Sequence, residues 1–406
     1  MTTGTKALGR RARSVAALAL CWGLASLTWR VGWSLHDASP WLSLPLLAAE
    51  IWTFVRLALF AASAWRVPDA EPTRAAPTAD GGRSVELIVP AAHAGVEDVG
   101  RTLVVAAAEA PDRVRVLDDR HRADVEREAR RHGADYQVVS TDADGPSPSS
   151  IRLASAALAD SEFDLVIWVD AGDVLAPDLQ SLTAAFERAD VAVVQAATEY
   201  SNRDSLLHTA PDRDERAVDA RVIGPALGAI GAGPWTGSGS VVRTAALYDV
   251  GGLTVGDAAV RRAAARLVSS SWRIEFCERP VVRVTAPDTL DEYLAAAAAD
   301  AADGWHSLRS PDSPLVRRSL PVRARLGMIE QATRPIDGLA RLTFLVVLAA
   351  TMFTGRLPLT ASLATLTLLW VPAFALRLEA LVALSRGTVR RGDIARQGLC
   401  RMGLQL

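Results

Sequence analysis

The stretch FDLVIWVDAGDVLAPDL, residues 163–179, decides the fold of this chain. Residues 165–169 are all apolar, and the run ends on Asp170, followed by Gly172 and Asp173. A short apolar run that stops at polar and glycine residues predicts a buried strand. In an open α/β sheet, ligands bind outside the carboxyl ends of the strands. The stretch therefore predicts a strand whose binding end carries two carboxylates, placed to hold a divalent metal that in turn holds a phosphate.

Strand and helix patterns alternate on both sides of this stretch. Other apolar runs typical of strands lie at residues 85–89, 113–117, 136–140, 191–195 and 272–276. Helical patterns lie between or after them, at residues 96–110, 123–133, 151–159, 179–189, 258–268 and 293–303. Alternation of this kind predicts βαβ units, and therefore an α/β domain with a mainly parallel sheet.

Four acidic residues follow these predicted elements. Asp119 ends the second strand, Asp170 and Asp173 end the central one, and Asp257 precedes a helix predicted to begin at Ala258. Each has a purely structural alternative. Asp119 can stabilise a turn, and the other three can cap the helices that follow them.

Composition and charge exclude several classes of protein. The chain has 406 residues, half of them hydrophobic, and a net charge of −2, so no strong positive field points to a nucleic-acid partner. Cys21, Cys277 and Cys400 are widely scattered. Without a CxxC pair or a Cys/His cluster, the sequence indicates neither a zinc site nor a disulfide framework.

Apolar runs at both ends predict membrane spans. The runs cover residues 15–35, 41–65, 339–355 and 357–376, each near the ~20 residues that a spanning helix needs. The basic flanks favour four crossings with both termini and the α/β domain in the cytoplasm, in the plasma membrane of the cell. Arg30, Glu50 and Arg56 lie in or near these runs and are expected to snorkel, pair or face the helix bundle.

The chain thus divides into six parts. We expect two transmembrane helices over 1–66, a linker over 67–83, the α/β domain over 84–314, a basic amphipathic interfacial helix over 315–338, two transmembrane helices over 339–377 and a basic tail over 378–406. The interfacial helix is expected because arginines alternate with apolar residues just before a span, which suits an anionic lipid surface.

Several stretches, in this order, resemble motifs of the processive family 2 glycosyltransferases, above all the bacterial cellulose synthases. They are VELIVP (85–90), RVRVLDD (113–119), WVDAGDVLAPDL (168–179), VVQAATEYSNRDS (193–205), WTGSGSVVRTAALYDVGGL (235–253) and TVGDAAVRRAAARLVSSSWRIEF (254–276). The resemblance covers about residues 85–315 and implies a GT-A-like domain inserted between transmembrane helices. In family order, the acids then favour a nucleotide-sugar site over structural capping.

The chain also departs from the family pattern. In place of the family's Asp-Asp-Gly the chain has DDR at 118–120, and in place of Asp-Ala-Asp it has DAG at 170–172, with Asp173 one place late. In place of Thr-Glu-Asp it has VGD at 255–257. The loop that carries a lysine in the family is GPSPSS at 145–150, and the Gln-x-x-Arg-Trp motif is replaced by AADGW at 301–305. Of the last motif only Trp305 remains. Trp305 and Trp235 can stack on sugar rings or pack in the core. The histidines have no mutual spacing that indicates a metal site or a triad.

The resemblance implies an enzyme that displaces the leaving group at a sugar anomeric carbon. By this resemblance Asp119 would contact the uracil or ribose of a UDP-sugar, and Asp170 with Asp173 would bind Mg²⁺ or Mn²⁺ on the diphosphate. Asp257 would act as general base toward a glycan or lipid-linked acceptor. Two alternatives stay open. The chain can be a degenerate pseudo-glycosyltransferase that serves as partner or scaffold of an active synthase. It can also be a transferase that adds single sugars to a lipid-linked acceptor.

Overall fold

The computed structural model describes residues 3–36, 38–65, 82–109, 111–140, 149–175, 180–202, 219–287 and 289–384. Several sequence predictions fall outside these residues. They are the linker up to residue 81, the loop at 145–148, the helix start at 176–179, the end of the segment 193–205 and the tail beyond 384.

Eight strands form one sheet. They are β1 (Val85–Pro90), β2 (Arg113–Asp118), β3 (Asp135–Val138), β4 (Leu165–Trp168), β5 (Val174–Leu175), β6 (Val191–Tyr200), β7 (Ser240–Arg243) and β8 (Arg273–Val284). Their order in the sheet is β3-β2-β1-β4-β7-β6-β8-β5. β3, β2, β1 and β4 are parallel to one another, and β6 is parallel to β8. Only β7 and β5 run antiparallel to their neighbours, so the predicted α/β class with a mainly parallel sheet is confirmed.

Thirteen α-helices lie within the described residues. They are α1 (Thr3–Trp29), α2 (Pro40–Ala64), α3 (Val96–Ala108), α4 (Ala123–Arg131), α5 (Ser149–Asp160), α6 (Gln180–Thr183), α7 (Gly224–Ala229), α8 (Thr244–Asp249), α9 (Ala259–Ser269), α10 (Leu290–Arg309), α11 (Val322–Ala332), α12 (Ile336–Thr354) and α13 (Leu363–Leu384). Arg30–Ser34 extends α1 as π-helix, Asp219–Ile223 leads into α7 as π-helix, and Ala184–Glu187 follows α6 as 3₁₀-helix.

The sequence prediction missed β5 and β7 and misjudged several lengths. β7 is only four residues long and follows the small-residue stretch 235–239, which carries turn signals. Its position between β4 and β6, rather than its own pattern, makes it a strand. The helix predicted over 179–189 is cut short, because Arg188 already has extended backbone that leads into β6. α10 is longer than predicted and reaches Arg309.

Two apolar layers cover the sheet, and β4 supplies side chains to both. Val166 and Trp168 pack in the layer that includes α5 and α9. Leu165 and Ile167 pack in the opposite layer, which includes α3 and α4. Alternation across a strand produces this division, and burial on both faces explains why the sequence of β4 is continuously apolar.

Three helical segments are long and apolar enough to cross a membrane. They are Gly9–Ser34, Pro40–Ala62 and Ile336–Thr354. α13 packs against α1, where the indole Nε1 of Trp22 donates to the carbonyl of Leu369 at 3.0 Å. Arg30 pairs with Glu50 at 3.0 Å across the first two helices, so the expectation that these charges find partners is confirmed. Four crossings remain a prediction.

The segment 315–338, predicted as one interfacial helix, is helical over Val322–Ala332, and α12 begins at Ile336. Residues 314–320 form turns, and Leu315 and Val316 in them are exposed. α11 packs against α2 and α10. Buried Glu330 of α11 pairs with Arg56 of α2 at 3.0 Å, so a buried ion pair joins α11 to a membrane-type helix.

Candidate active site

Asp170 and Asp173 lie on one tight turn directly after β4. The main-chain amide of Asp173 donates to the carbonyl of Asp170 at 3.1 Å, and Gly172 at the third position has φ +99°. A positive φ at this position defines a type II turn and favours glycine. The glycine that separates this sequence from Asp-Ala-Asp is therefore the residue that the turn requires, and the turn carries both carboxylates.

Two hydroxyl groups brace this turn. Ser238, in the loop before β7, accepts a hydrogen bond from the amide of Asp170 at 3.0 Å and donates to Oδ2 of Asp173. Thr102 of α3 accepts from the amide of Gly172 at 3.1 Å and donates to the carbonyl of Asp173 at 2.9 Å. The orientation of the carboxylate pair is thus fixed from both sides of the sheet end.

The Asp170 carboxyl is half-buried, and no cation compensates its charge within the described residues. Burial raises its pKa to about 6, and the hydrogen bond from the Trp168 indole at 2.8 Å offsets this only in part. Within the described residues, no arginine forms an ion pair with Asp170. An ionised carboxylate in such a place is stabilised by any positive charge brought to it.

These donors suit a hard divalent cation. Mg²⁺ is commonly held by one or two carboxylates together with substrate phosphates and waters, so two acids on one turn are an adequate protein contribution. Elsewhere in the described parts of the chain, and here, no group of three or more His, Cys, Asp or Glu side chains is arranged for a metal. The site therefore fits a cation that arrives with a diphosphate better than a permanently bound metal.

The end of β2 separates two acids with different roles. Asp118 is fully buried, and it accepts hydrogen bonds from the amide of Arg122 at 2.9 Å and from the Tyr136 hydroxyl at 2.6 Å. Burial alone would raise the pKa of Asp118, but the bonds from Arg122 and Tyr136 outweigh it and hold the pKa below its usual value. Asp118 therefore stabilises the turn after β2. The sequence had allowed this role for Asp119 instead.

Asp119 is left available for a ligand. Its side chain is 10% exposed, and its buried Oδ1 has no hydrogen-bond partner among the described residues. The nearest cation is Arg120, with Nε 3.8 Å from Oδ1. A buried carboxylate oxygen without a donor is costly unless a ligand supplies one.

Asp119 and the turn at Asp170 lie at the same edge of the sheet. β2 and β4 are both parallel neighbours of β1, which separates them. Strand spacing puts their ends on the order of 10 Å apart. The loop after β1 is tied to both strand ends, since the amide of Ala91 donates to Leu117 and the amide of Ala171 donates to Pro90. The two predicted parts of a nucleotide site thus flank a single loop.

Asp257 lies on a turn, and the prediction that it opens and caps a helix is wrong. α9 begins at Ala259, and its N-cap, Ala258, has left-handed backbone at φ +52° and no side-chain capping bond. Gly256 before it has φ +143°. The Asp257 side chain, 46% exposed, instead lies 3.3 Å from Nδ1 of His306 on α10. The helix start cannot take up the capping bond because Ala258 turns the chain away from α9.

α10 carries the remnant of the Gln-x-x-Arg-Trp motif. Trp305 is 47% exposed, with the guanidinium of Arg309 4.1 Å from its ring centre. Trp235, by contrast, is buried in the core and donates to Ser240 at 3.1 Å, so it does not face a substrate. Gly304 contacts α11 so closely that a Cβ there would lie 2.4 Å from the carbonyl oxygen of Ala332.

Four supporting residues were missed in the sequence. Ser238 and Thr102 brace the carboxylate turn, His306 faces Asp257, and buried Gln195 holds the loop before β7 through the amide of Thr236 at 3.0 Å and the carbonyl of Ser238 at 3.0 Å. Only Gln195 had a signal, through the Val-Gln resemblance. The others come from distant elements, and no spacing in the chain relates them to the acids they contact.

The chain is similar to several solved structures. Mannosyl-3-phosphoglycerate synthase from Rubrobacter xylanophilus is 16% identical, with 56% of this chain and 74% of that chain covered and a TM-score of 0.40. Glucosyl-3-phosphoglycerate synthase from Mycobacterium tuberculosis, in complex with Mn²⁺ and UDP-glucose, is 15% identical, with 66% and 84% covered and a TM-score of 0.37. TarS 1-349 of S. aureus in complex with UDP is 15% identical, with 78% and 92% covered and a TM-score of 0.39.

The family itself is shown by sequence. No curated protein sequence matches the chain. The family model described as "Glycosyltransferase like family 2" matches residues 82–300, which include every candidate site residue described above except His306 and the Gly304–Trp305 pair. This match spans more than half of the 406 residues. The chain therefore belongs to the family 2 glycosyltransferases.

Proposed function

We propose that this protein is a membrane-embedded glycosyltransferase that transfers a sugar from a UDP-sugar to a polysaccharide or lipid-linked acceptor. The observation that carries the proposal is the type II turn on which Asp170 and Asp173 present two braced carboxylates, one of them half-buried without a cation. A carboxylate that lacks a neighbouring cation, at the carboxyl end of a parallel sheet, suits a diphosphate that carries a metal ion.

Each end of the site takes one part of the donor. Asp119, with an unpaired buried oxygen, accepts a hydrogen bond from the uracil or ribose. Asp170 and Asp173 hold Mg²⁺ or Mn²⁺ against the diphosphate. When bound, the cation neutralises the charge that develops on the leaving group. Ser238 and Thr102 keep the two carboxylates in place while this charge changes.

Asp257 serves as general base in the proposed reaction. Its carboxylate takes the proton from an acceptor hydroxyl as that oxygen attacks the anomeric carbon, and the diphosphate leaves with the electron pair of the broken bond. Gly256 and Ala258 on either side have positive φ, which holds Asp257 out from the helix start and toward solvent. Positive φ at the non-glycine Ala258 is strained backbone of the kind found at functional sites.

The acceptor is the least constrained part of the proposal. α10 has Ala301 and Gly304 where the cellulose synthases have glutamine and arginine, and it keeps exposed Trp305 as a surface for a sugar ring. We therefore favour single transfers or short products over processive synthesis of a long polymer. The three membrane-type helices support an acceptor, or a product, that is held at the lipid surface.

A scaffold role is the second candidate. The same absence of a glutamine and an arginine on α10 favours it, because a protein that only binds UDP and a synthase subunit needs no acceptor clamp. The two functions differ in whether bound donor is ever turned over.

Calorimetric titration of UDP, with and without Mn²⁺, into the detergent-purified full-length protein tests the donor site. Loss of one contact to a charged group costs roughly 1.5–3 kcal/mol, so Asp170→Asn is expected to weaken Mn²⁺-dependent UDP binding about ten- to a hundredfold. Glu162→Gln is the matched control, because Glu162 is an exposed acid at the opposite end of β4. Affinity indifferent to EDTA would contradict the metal site.

Release of UDP from a panel of UDP-sugars, measured in membranes, separates enzyme from scaffold. Asp257→Asn is expected to lower turnover ~10²-fold or more while UDP affinity stays unchanged, since a positioned general base contributes ~10²–10⁴-fold. Equal rates for wild type and variant would remove Asp257 from the mechanism. Binding of UDP without release from any donor would favour the scaffold.

A further inference from the structure

His306 is the histidine that the structure places against the proposed base. Its Nδ1 lies 3.3 Å from Oδ2 of Asp257, and both side chains are 46% exposed. The ring's other nitrogen, Nε2, has no hydrogen bond from the described residues. The pair is thus anchored on one side and open to solvent on the other.

α10 holds the turn of Asp257 through more than this one contact. The main chain of Ala258 lies close enough to the carboxylate of Asp303, one helical turn before His306, to oppose the rise in the pKa of that carboxyl. Arg261 of α9 forms an ion pair with Asp300, again three residues earlier. Residues three apart are neighbours on a helix surface, so one side of α10 meets the start of α9 with Asp300, Asp303 and His306 in turn.

The left-handed backbone of Ala258 follows from this arrangement. A non-glycine residue at φ +52° is strained and persists only where the surroundings hold it. Contacts with α10 on either side, from Asp257 to His306 and from Arg261 to Asp300, hold this turn in place. The strain is therefore tied to the orientation of the proposed base.

The position of α10 is itself fixed. Gly304 contacts the backbone of Ala332 on α11, so α10 cannot shift without losing this close packing. The charged groups around His306 are Asp257 across the turn, Asp300, Asp303 and Arg309 on its own helix, and Arg261 on α9. Burial raises the pKa of Asp303, and Asp257 and Asp300 add to this, while Arg261 and the Ala258 amide oppose it. His306 is the imidazole in this set, with two ring nitrogens through which a proton can enter and leave.

We propose that His306 is a positioning and proton-relay residue that orients Asp257 and passes the acceptor proton on to solvent. The inference rests on the proposed function and assigns a role to a residue outside the family's motifs. In the transfer step, the acceptor oxygen forms the new bond to the anomeric carbon, the bond from that carbon to the phosphate oxygen breaks, and the diphosphate takes the electron pair. The acceptor proton goes to Asp257, then to Nδ1 of His306, and a proton leaves Nε2 to water.

Among the side chains around Asp257, arginine stays protonated and cannot take up a proton, so His306 is the nitrogen base in contact with this carboxylate. An imidazole in contact with the carboxylate gives the proton a path and restores the base for the next cycle.

Steady-state UDP release by the full-length protein tests this proposal with three variants. His306→Gln is expected to lower kcat about ten- to a hundredfold, at the low end of what a positioned proton-transfer group contributes, with KM for the donor unchanged. His306→Ala is expected to behave alike and to recover activity when free imidazole is added, since imidazole can replace the missing ring. His132→Gln is the matched control, because His132 also pairs with a carboxylate, Glu128 at 3.1 Å, but on α4 away from the site.

Arg261→Gln separates a relay from a mere brace. This change breaks the ion pair with Asp300 between α9 and α10 but removes no group that can carry a proton. Exposed ion pairs contribute little to stability, so kcat is expected to stay within about threefold of wild type. Wild-type kcat in His306→Gln overturns the proposal. The proposal is also overturned if kcat falls equally in Arg261→Gln and imidazole does not restore the activity of His306→Ala. That result would assign His306 a structural role.

The same preparations distinguish this failure from a failure of the proposed function. UDP titration in Mn²⁺ is run on every variant. A wild-type protein that binds no UDP overturns the donor site and with it the proposed function. A wild-type protein that binds UDP and releases none from any donor overturns the transferase function and the relay with it, whereas UDP release that His306→Gln leaves unchanged overturns the relay alone.

Discussion

The indole Nε1 of Trp168 donates a 2.8 Å hydrogen bond to Oδ1 of Asp170, two residues further along the same strand end. Residues two apart project from the same face of a strand, which brings the two side chains together. Trp168 is among the largest fully buried side chains, so its only polar atom needs a partner. The packing of β4 thereby sets the direction of a carboxylate at its end.

The first prediction concerns the cost of this half-buried carboxylate. The pKa of Asp170 is raised from 3.8 to about 6, because burial disfavours its ionised form in the folded protein. Its contribution to stability is therefore fully present below pH 3.8 and is lost as the pH rises through about 6. In EDTA at pH 8, Asp170→Asn is expected to raise the free energy of unfolding by on the order of 1–3 kcal/mol, with a smaller difference at pH 5.

Thermal unfolding in detergent at both pH values measures the effect. Adding Mn²⁺ with UDP at pH 8 is expected to stabilise wild type and not Asp170→Asn, because the cation replaces the missing positive charge. An Asp170→Asn protein that is no more stable than wild type at pH 8 would contradict the burial of an unpaired charge.

The second prediction separates the two adjacent acids of β2. The pKa of Asp118 is lowered, so its contribution to stability is present above pH 3.8 and is lost as the pH falls through the lower folded value. At pH 7, Asp118→Asn is expected to cost about 3 kcal/mol or more, since it breaks a buried ion pair with Arg122. Asp119→Asn removes no such pair and is expected to keep the stability while UDP binding weakens about ten- to a hundredfold.

Urea unfolding and UDP titration on both variants check this division. The reverse pattern, in which Asp119→Asn unfolds the protein and Asp118→Asn only loses UDP, would restore the structural alternative for Asp119.

The sequence predicted the parts of this site that follow from local pattern. β4 is a continuous apolar run and β1 and β2 are mostly apolar at their buried positions, and acids directly after β2 and β4 must lie at one sheet edge once the strands are parallel. Antiparallel β7 could not be predicted, because four residues after a glycine-rich turn become a strand only between β4 and β6.

Roles within the site depended on contacts that no local pattern contains. Asp118 and Asp119 are adjacent acids that the sequence alone does not distinguish. The hydrogen bonds from Arg122 and Tyr136 give Asp118 the structural role. Asp257 looked like a helix cap because it precedes a helical pattern. In the structure its side chain instead contacts His306 on α10, which lies far along the chain.

The third prediction concerns the joint between the catalytic domain and the membrane helices. Arg56 of α2 binds Glu330 of α11 at 3.0 Å and Asp337 of α12 at 3.0 Å, and Glu330 is 2% exposed. Arg334 links Glu330 to Asp219 before α7. Glu330→Gln removes the buried charge that Arg56 and Arg334 share, but each arginine keeps one acid, Asp337 or Asp219, so the free energy of unfolding is expected to fall by on the order of 1–3 kcal/mol.

A double-mutant cycle provides the control for this joint. Arg56→Met with Glu330→Met removes both charges and is expected to be much less destabilising than either change alone. Additive losses in the double variant would show that the two side chains do not act as a pair.

The fourth prediction is the membrane topology. With Cys21, Cys277 and Cys400 replaced by serine, Ala38→Cys in the turn before α2 is expected to react with an impermeant maleimide in intact cells. Glu162→Cys, exposed on the glycosyltransferase domain, is expected to react only after permeabilisation, because the basic flanks favour a cytoplasmic domain. Labelling of Glu162→Cys from outside intact cells would reverse the orientation.

The last prediction concerns Gly304, which we expect to stand where the cellulose synthases have the arginine of their Gln-x-x-Arg-Trp motif. In the cellulose synthase-like pattern its loss indicates a weakened acceptor clamp, and restoring the arginine would then improve activity. The structure leads to the opposite expectation, because a Cβ at Gly304 would lie 2.4 Å from the carbonyl oxygen of Ala332, a backbone atom that cannot rotate away.

Overpacking of this kind costs typically 1–3 kcal/mol, so both Gly304→Ala and Gly304→Arg are expected to destabilise the protein and to lower UDP release by moving α10, which carries His306. Ala302→Arg, at a neighbouring exposed position of α10, is the control for the added charge and is expected to leave stability within about 0.5 kcal/mol. Higher activity in Gly304→Arg would mean that α10 and α11 separate at no cost and that the acceptor clamp is the limiting defect.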